Sequence, residues 1–519
     1  MTRTAADVGA GLAPARDARP IRVGERIHVV GVAGAGASAA ALHAAWAGAH
    51  VSGCDPGGPS PYTPALAAAG IAIAGAHDPA HVGGPNPPAR LAVTKALTAV
   101  APDHPELTAA RAAGIPLEPW QQLVADAAAG RRLVAVAGTH GKSTVSGWLV
   151  HLLAEAGADP SAFVGALLPA GLTGIGIAAT ARRGGGEAFV VEADEYAGNF
   201  DPYRPDVVLV TTIEWDHPDV FADRAAVVDA FEAWLRQVPD ASLVVNLADA
   251  GVDELVRRLA DRRGPVVGVQ LARAGTAAPQ QGVDPTPRPV PGSSVDRYIS
   301  GAVSLTGRTS LLWLFDHRED DHLVDVELPT AGWHNAANAS VVAAGALVLG
   351  LGPDQIRHGL STFPGIGRRL ERKGEAAGVV VYDDYGHHPT AIRETIGAIR
   401  QREPGRRVWA VYEPLTYHRT AALLDDFAAA LATADAVAIA DIWAGRDPDT
   451  SITSPEALAE TIARRRPDIP LAATGSVEAT AEWLAGEIRS GDVVLVMGGG
   501  RSYRIGELLL DALAASAPR

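Results

Sequence analysis

Short runs of β-branched and small apolar residues recur along the chain, and each breaks off at glycine, a hydroxyl or a carboxylate before helical spacing begins. Runs without polar alternation read as strands buried on both faces, the mark of parallel sheets covered by helices. Arg26 to Val30 leads into a turn at Gly31, Gly34 and Gly36 and a helix through Leu42 and Trp46. His50 to Cys54 and Leu91 to Thr94 read as the next strands. Val134 to Ala137 runs into G-T-H-G-K-S-T and then into Trp148, Leu149, Leu152 and Leu153 at helical spacing. A-F-V-V-E-A-D-E-Y and V-V-L-V-T-T-I are further strands, the second ending near Ile213. The W-H-N-A-A-N run opens a helix, and beyond Gly365 the alternation resumes with strands from Val379, Val408 and Val493.

Alternation over 519 residues exceeds one core and predicts an α/β protein of three domains. These are an N-terminal Rossmann-like domain over 23–121, a central P-loop ATPase-like parallel sheet over 122–364, and a C-terminal Rossmann-like α/β domain over 365–519. Residues 1–22 mix Arg, Asp, Ala and Pro without an apolar stretch and read as a disordered tail. Residues 272–294, rich in Pro, Gly, Ala and Gln, read as a loop insertion. A formal charge of −15 argues against a nucleic-acid groove, and no stretch is apolar for long enough to span a membrane. Cys54 is the sole cysteine, which excludes an internal disulfide and makes the reducing cytoplasm the expected location.

Chemistry concentrates at the G-T-H-G-K-S-T turn. Glycines let backbone N–H groups turn inward around an anion, and the following helix adds the positive end of its dipole. Lys142 reaches phosphate oxygens and the Ser143 hydroxyl suits Mg2+, so Gly138, Thr139, Gly141, Lys142, Ser143 and Thr144 are candidate triphosphate contacts. The turn is shorter than G-x-x-x-x-G-K-[ST], because position 136 is Val136, and an ordinary strand-to-helix turn is the alternative. Only three of the 44 basic residues are lysines (Lys95, Lys142 and Lys373), which singles out the compact ammonium of Lys142. Lys95 reads as a solvated surface charge.

Glu192, Asp194 and Glu195 follow one strand, and Glu214, Asp216 and His217 another. C-terminal strand ends of a parallel sheet share an edge with the phosphate loop, so Glu192 and His217 are candidate Mg2+ ligands beside Ser143, or caps of the next helix. Asn335 and Asn338 share a helix face suited to an adenine edge or to capping. The Gly31, Gly34, Gly36 turn with Asp55 about twenty residues on nearly matches a dinucleotide fingerprint, with a plain βαβ unit as the alternative.

In chain order, G-x-x-G-x-G-x-S, G-T-H-G-K-S-T, E-A-D-E, I-E-x-D-H, H-N-x-x-N, G-x-x-R-R, Y-D-D-Y-G-H-H-P and M-G-x-G resemble the Mur ligases, and among them the alanine-adding branch. These are ATP-dependent amide-forming enzymes of peptidoglycan precursor synthesis. The resemblance implies the substrates UDP-N-acetylmuramate, L-alanine and ATP, with Mg2+ or Mn2+, no nucleic-acid or membrane partner, and a monomer or homodimer. It implies that Lys142 and Ser143 hold the ATP phosphates and Mg2+, with Glu192 and His217 completing the metal site. Asn335 and Asn338 would meet adenine, while Arg369 and Asp384 would contact ATP across a hinge at 365–369. Gly34, Gly36, Ser38, Asp55 and Thr94 would hold the UDP-sugar, and His387 and Arg419 would meet the substrate carboxylates. The implied catalytic set is Lys142, Glu192, His217 and His387.

Two departures and one expected absence accompany this resemblance. Thr416 stands in P-L-T-Y-H-R-T where the family usually has a second arginine, so amino-acid recognition does not carry over there. E-A-D-E-Y-A is similar to the related murein tripeptide ligase of wall recycling, which stands as one alternative; a nucleotide-dependent P-loop switch is another. No lysine occurs between Trp215 and Pro239, where several later Mur ligases carry a carbamylated one, and the alanine-adding branch is expected to lack it.

Overall fold

The computed structural model describes residues 5–274, 295–305, 307–318, 321–445, 447 and 449–516. Three sheets carry the chain, one per domain. The first is parallel, in the spatial order Ala72–Ala74, His50–Cys54, Arg26–Val30, Arg90–Val93, Leu117–Pro119, as in one half of a doubly wound fold. Alternation along Arg26–Val30 splits its side chains between two layers: Ile27 and Val29 join the core with the helix Ala35–Trp46, while Val30 packs with Leu107 and Ala110 of Pro105–Ala112.

The expected tail at 1–22 is instead packed from Asp7 onward. Val8 is fully buried, its carbonyl accepts from the Thr98 hydroxyl, and Ala13 N–H donates to the Leu117 carbonyl. Arg16 donates to Glu118 and to Asp126, which also meet the buried Arg90. Glu25 also meets Arg90, so three carboxylates surround one buried guanidinium and leave negative charge to offset; Arg16 offsets it at Glu118 and Asp126, and Arg19 at Glu25. Because Arg16 is about a third exposed and Arg90 remains, Arg16→Ala is expected to cost about 1–2 kcal/mol, read by urea unfolding. The helix Trp120–Ala127, which carries Asp126, runs across the expected domain boundary at 121.

The central sheet has ten strands and is mixed where a parallel one is expected. Its middle strands pair in parallel, whereas Ser310–Asp316 and Asp321–Leu328 extend one edge antiparallel and Ala179–Arg182 the other. The link from Ser304 to Ser310 is too short for a crossover, so the chain has to turn back as a hairpin. Of the expected loop at 272–294, Ala272 and Arg273 finish the strand Val266–Arg273, and 275–294 lie outside the described residues. The strand expected to reach Ile213 stops at Val210, because Thr211 and Thr212 turn toward the phosphate loop.

The third sheet runs Glu371–Ala376, Val379–Asp384, Val493–Gly498, Val408–Glu413, Ala436–Ala440, Leu471–Gly475, parallel except for the first pair. Ala377 and Gly378, both at positive φ, make the tight turn of that hairpin. Among the described residues, no helix is long and apolar enough to cross a membrane.

Candidate active site

Strand Arg132–Ala137 ends at Gly138, and the helix Lys142–Glu155 starts after Gly141. Both glycines hold positive φ, and each is hemmed in: a Cβ on Gly138 would lie 2.1 Å from Thr211 Oγ1, and one on Gly141 2.5 Å from Asn338 Oδ1. Thr139 N–H donates to the Thr212 carbonyl (2.8 Å) and His140 N–H to the Thr212 hydroxyl (3.0 Å), which fastens the loop to the neighbouring strand end. Thr144 is buried in the first turn of the helix.

Ser143 Oγ donates to Glu192 Oε1 at 2.9 Å, and Gly165 N–H holds the other carboxylate oxygen at 2.6 Å. A Cβ on Gly165 would fall 2.7 Å from Glu192 Oε1, so a larger residue there would displace this carboxylate. Arg369 crosses from the third domain to place Nη2 2.9 Å from Ser143 Oγ. Two left-handed residues, Arg368 and Leu370, flank it, and Arg369 lies over the Tyr385 ring. The turn is fastened by Asp384, which accepts from Leu370 N–H and Gly386 N–H. Asp384 thus fixes the turn that presents Arg369 to Ser143.

Lys142 Nζ lies 2.8 Å from Glu195 Oε2 and 3.3 Å from Asp194 Oδ1, and Asn199 donates to Asp194. Burial pushes the Glu195 carboxyl up from 4.5 to about 7 against the pull of Lys142. At Asp194, Lys142 and His217 outweigh burial and hold the carboxyl down at about 2. The folded protein therefore keeps a proton on Glu195 that the unfolded chain releases near 4.5, so stability falls as pH rises from 4.5 to about 7. Glu195→Gln is expected to flatten that decline in urea unfolding series, and an unchanged slope would refute the assignment.

His217, expected at the metal site with Ser143 and Glu192, stands among the acidic residues that follow Glu192. It groups with Asp194 and Glu195, stacks near Tyr196 at 4.7 Å between ring centroids, and meets Arg419 Nη2 through Nδ1 at 3.1 Å. Its φ of 55° is the reason: a left-handed residue redirects the chain after Asp216. Arg419 is buried and donates through Nε to Asp216 Oδ1 at 2.7 Å. Burial alone would raise the Asp216 carboxyl, but Arg419 together with His217, His388 and His387 holds it well below its ordinary value. Where a role toward a substrate carboxylate is implied for Arg419, its partner here is the protein's own Asp216. Thr416, also at positive φ, caps the Arg419 helix through its hydroxyl.

His387 Nδ1 faces the Tyr385 carbonyl at 2.9 Å, so Nδ1 carries the proton and Nε2 is the basic nitrogen. Burial first, and then the charge of Arg419, keep the imidazole well below its ordinary value and hence neutral. His388 instead caps its helix and reaches the Trp215 carbonyl. Five of the seven non-glycine residues at positive φ among the described residues, Ala197, His217, Arg368, Leu370 and Thr416, stand on these loops, which is where backbone strain collects at working sites.

The other expected contacts divide. Asn338 lies against Gly141 of the loop, whereas Asn335 donates to the Ala331 carbonyl and so serves its own helix. Gly36 lets the Trp120 indole pack on the helix, since a Cβ would come within 2.2 Å of it, and Ser38 is buried against Thr180 of the central domain. Gly34 precedes the helix, and Asp55 accepts from Ala33 N–H, so this carboxylate closes the glycine turn. Thr94 lines a cavity of about 160 Å3 with Lys95, Trp120, Asp194, Tyr196 and His217. Lys95, expected as a surface charge, is largely buried there and donates to the Ala197 and Gly198 carbonyls at 2.7 Å. Sequence reasoning passed over Asn199 and Gly165; neither sits in a pattern that announces a partner.

Three α/β domains set around a phosphate loop, with an arginine reaching that loop from the third of them, define a three-domain P-loop protein. Family models match along the chain in order: Mur ligase family, catalytic domain, over 26–132; Mur ligase middle domain over 136–346; and Mur ligase, glutamate ligase domain, over 368–500. The chain belongs to the Mur ligase family, the ATP-dependent amide-bond ligases of peptidoglycan synthesis. It is 35% identical to a UDP-N-acetylmuramate–L-alanine ligase of Frankia casuarinae, covering 95% of this chain and 98% of that one. It is 36% identical to one of the same name from a Roseiflexus species, covering 94% and 98%. In fold it is similar to the UDP-N-acetylmuramate-alanine ligase of Thermotoga maritima, with a TM-score of 0.72 at 20% identity over 95% of this chain and all of that one. A murein peptide ligase from Psychrobacter arcticus gives 0.66 at 23% identity over 96% of this chain and all of that one.

Proposed function

We propose that the chain joins L-alanine to the lactyl carboxylate of UDP-N-acetylmuramate, using ATP to activate the carboxylate. A carboxylate does not acylate an amine at neutral pH because oxide is too poor a leaving group. Transfer of the γ-phosphoryl group to the carboxylate gives an acyl phosphate, and attack by the amine then expels phosphate. The carrying observation is that the Ser143, Glu192 and Arg369 contacts and the cavity from Thr94 to His217 lie at the junction of domains. That arrangement suits a reaction in which a nucleotide-bound sugar acid must meet a triphosphate.

Two anions have to approach, and preorganised positive charge at the loop, from its N–H groups, Lys142 and Arg369, offsets their repulsion. Ser143 and Glu192 offer hard oxygen donors beside the phosphate loop, a fit for Mg2+, and would hold it. Bound there, Mg2+ supplies further charge neutralisation on the phosphates. Neutral His387, with Nε2 free of its own carbonyl contact, takes the proton that the alanine amine loses. Water would destroy the acyl phosphate, so residues 365–367 act as the hinge for closure before chemistry.

Phosphate release measured with each substrate omitted in turn tests the reading. Turnover should require both UDP-N-acetylmuramate and L-alanine. Turnover with L-Ala-γ-D-Glu-meso-diaminopimelate but not with L-alanine would assign the chain to the recycling reaction, and nucleotide binding without any amide product would make it a switch. Tyr196 at the cavity wall, part of E-A-D-E-Y-A, is the feature that favours the recycling reaction.

A further inference from the structure

The chain's one cysteine sits inside a cluster of imidazoles that the ligase chemistry leaves unused. On the side of the N-terminal sheet covered by Pro105–Ala112, His28 from Arg26–Val30 and Cys54 from His50–Cys54 face Glu106 in the first turn of that helix. His81, on the short turn Pro79–His81, closes over them. One ligand atom from each of these four residues lies within 4.8 Å of all the others. Cys54 Sγ is 3.1 Å from Glu106 Oε2, His81 Nδ1 is 2.5 Å from Glu106 Oε1, and His28 Nε2 is 3.8 Å from Glu106 Oε2. His77 and His104 form an overlapping group around the same carboxylate.

A tetrahedral Zn2+ site, with nitrogen and oxygen near 2.1 Å and sulfur near 2.3 Å from the metal, sets its donors about 3.3–3.8 Å apart. The observed separations bracket that range, so small side-chain shifts suffice. Thiolate and imidazole donors select a borderline transition metal over Mg2+ or Ca2+. A second observation is independent of the spacing. His28 is 2% exposed and its Nε2, aimed at Glu106, has no hydrogen-bond partner, while Nδ1 is engaged by the Ser52 hydroxyl at 2.9 Å. Fixing one imidazole nitrogen on a neighbouring group so that the other points inward is how proteins orient metal-binding histidines. His104 is also buried, with neither ring nitrogen hydrogen-bonded. Buried polar atoms without partners are uncommon, and here they collect in one place.

We propose that His28, Cys54, His81 and Glu106 bind one divalent transition-metal ion of the Zn2+ class, as a structural site of the N-terminal domain. Cys54 binds as the thiolate, and its proton, which now points to Glu106, leaves to solvent. The His77 and His81 side chains are 21% and 24% exposed and give an entry path. The Cys54 carbonyl accepts from Gly31 and Val32 N–H at 2.9 and 3.2 Å, so an ion held here braces the glycine turn.

The test uses the full chain, stripped with a chelator and titrated with Co2+. A thiolate-to-cobalt charge-transfer band is expected, together with the intense visible bands of tetrahedral Co2+, saturating at one equivalent. Because Cys54 is the only thiol, that band has one possible origin within the chain. Cys54→Ser should abolish it, His28→Gln should weaken binding by about 10-fold or more, and added Zn2+ should displace the cobalt and raise the unfolding temperature of the wild type alone. His81→Asn, at a partly exposed position, serves as a second variant if Cys54→Ser fails to fold. Absence of the charge-transfer band, or weak six-coordinate spectra identical in the wild type and His28→Gln, as binding at Asp194, Glu195 and His217 would give, overturns the proposal.

Discussion

Lys142→Ala is expected to slow amide formation by at least about a thousandfold, about 4 kcal/mol of transition-state stabilisation. The ammonium sits at the N-terminus of the loop helix against Glu195 and Asp194, the closest cation to where phosphate charge has to be met. Removing it leaves the Asp194 carboxylate facing the same space, and its repulsion of the incoming triphosphate adds to the lost attraction. The fold should survive, because Glu195 already sits near neutrality at about 7 and can take up a proton once the ammonium is gone. Coupled phosphate release measures the rate and urea unfolding the stability. Amide formation at the wild-type rate would dispose of the proposed chemistry.

Glu192→Gln is expected to cost about a hundredfold in kcat and to raise the Mg2+ concentration needed for half-maximal rate. The amide keeps the size of the carboxylate and can still accept from Gly165 N–H, so the backbone around it should hold. What it loses is the negative charge facing Ser143 at 2.9 Å. A metal titration of the initial rate separates this effect from misfolding, since a damaged fold lowers the rate at every Mg2+ concentration without shifting the midpoint. An unshifted midpoint would remove Glu192 from the cation site.

Much of this architecture can be read from short windows. The apolar run from Val134, the glycines at 138 and 141 and the helical spacing after Lys142 dictate strand, turn and helix from local geometry alone, and the fold contains each of them. Because parallel strands end on one edge, Glu192 could be set beside Ser143 before any coordinates. His217 could not be placed the same way, because its left-handed backbone diverts it toward Arg419, whose helix belongs to another domain. Arg369 reads as a hinge residue, yet only docking of the third domain shows that it ends on Ser143 and that Asp384 holds its turn.

The N-terminal strap was illegible for a related reason. Arg16 finds its partners 102 and 110 residues away, and a polar, Pro-rich stretch without periodicity carries no trace of them. The His28, Cys54, His81 and Glu106 cluster likewise has no motif spacing, since its members come from two strands, a short turn and a helix. By itself the sequence determined the strand–turn–helix units and the edge on which their functional side chains emerge, because periodicity and backbone preference act over a few residues. Tertiary structure alone decided which charges pair across domains, because burial of a carboxylate or guanidinium is tolerated only beside a partner that the folded chain brings from far away.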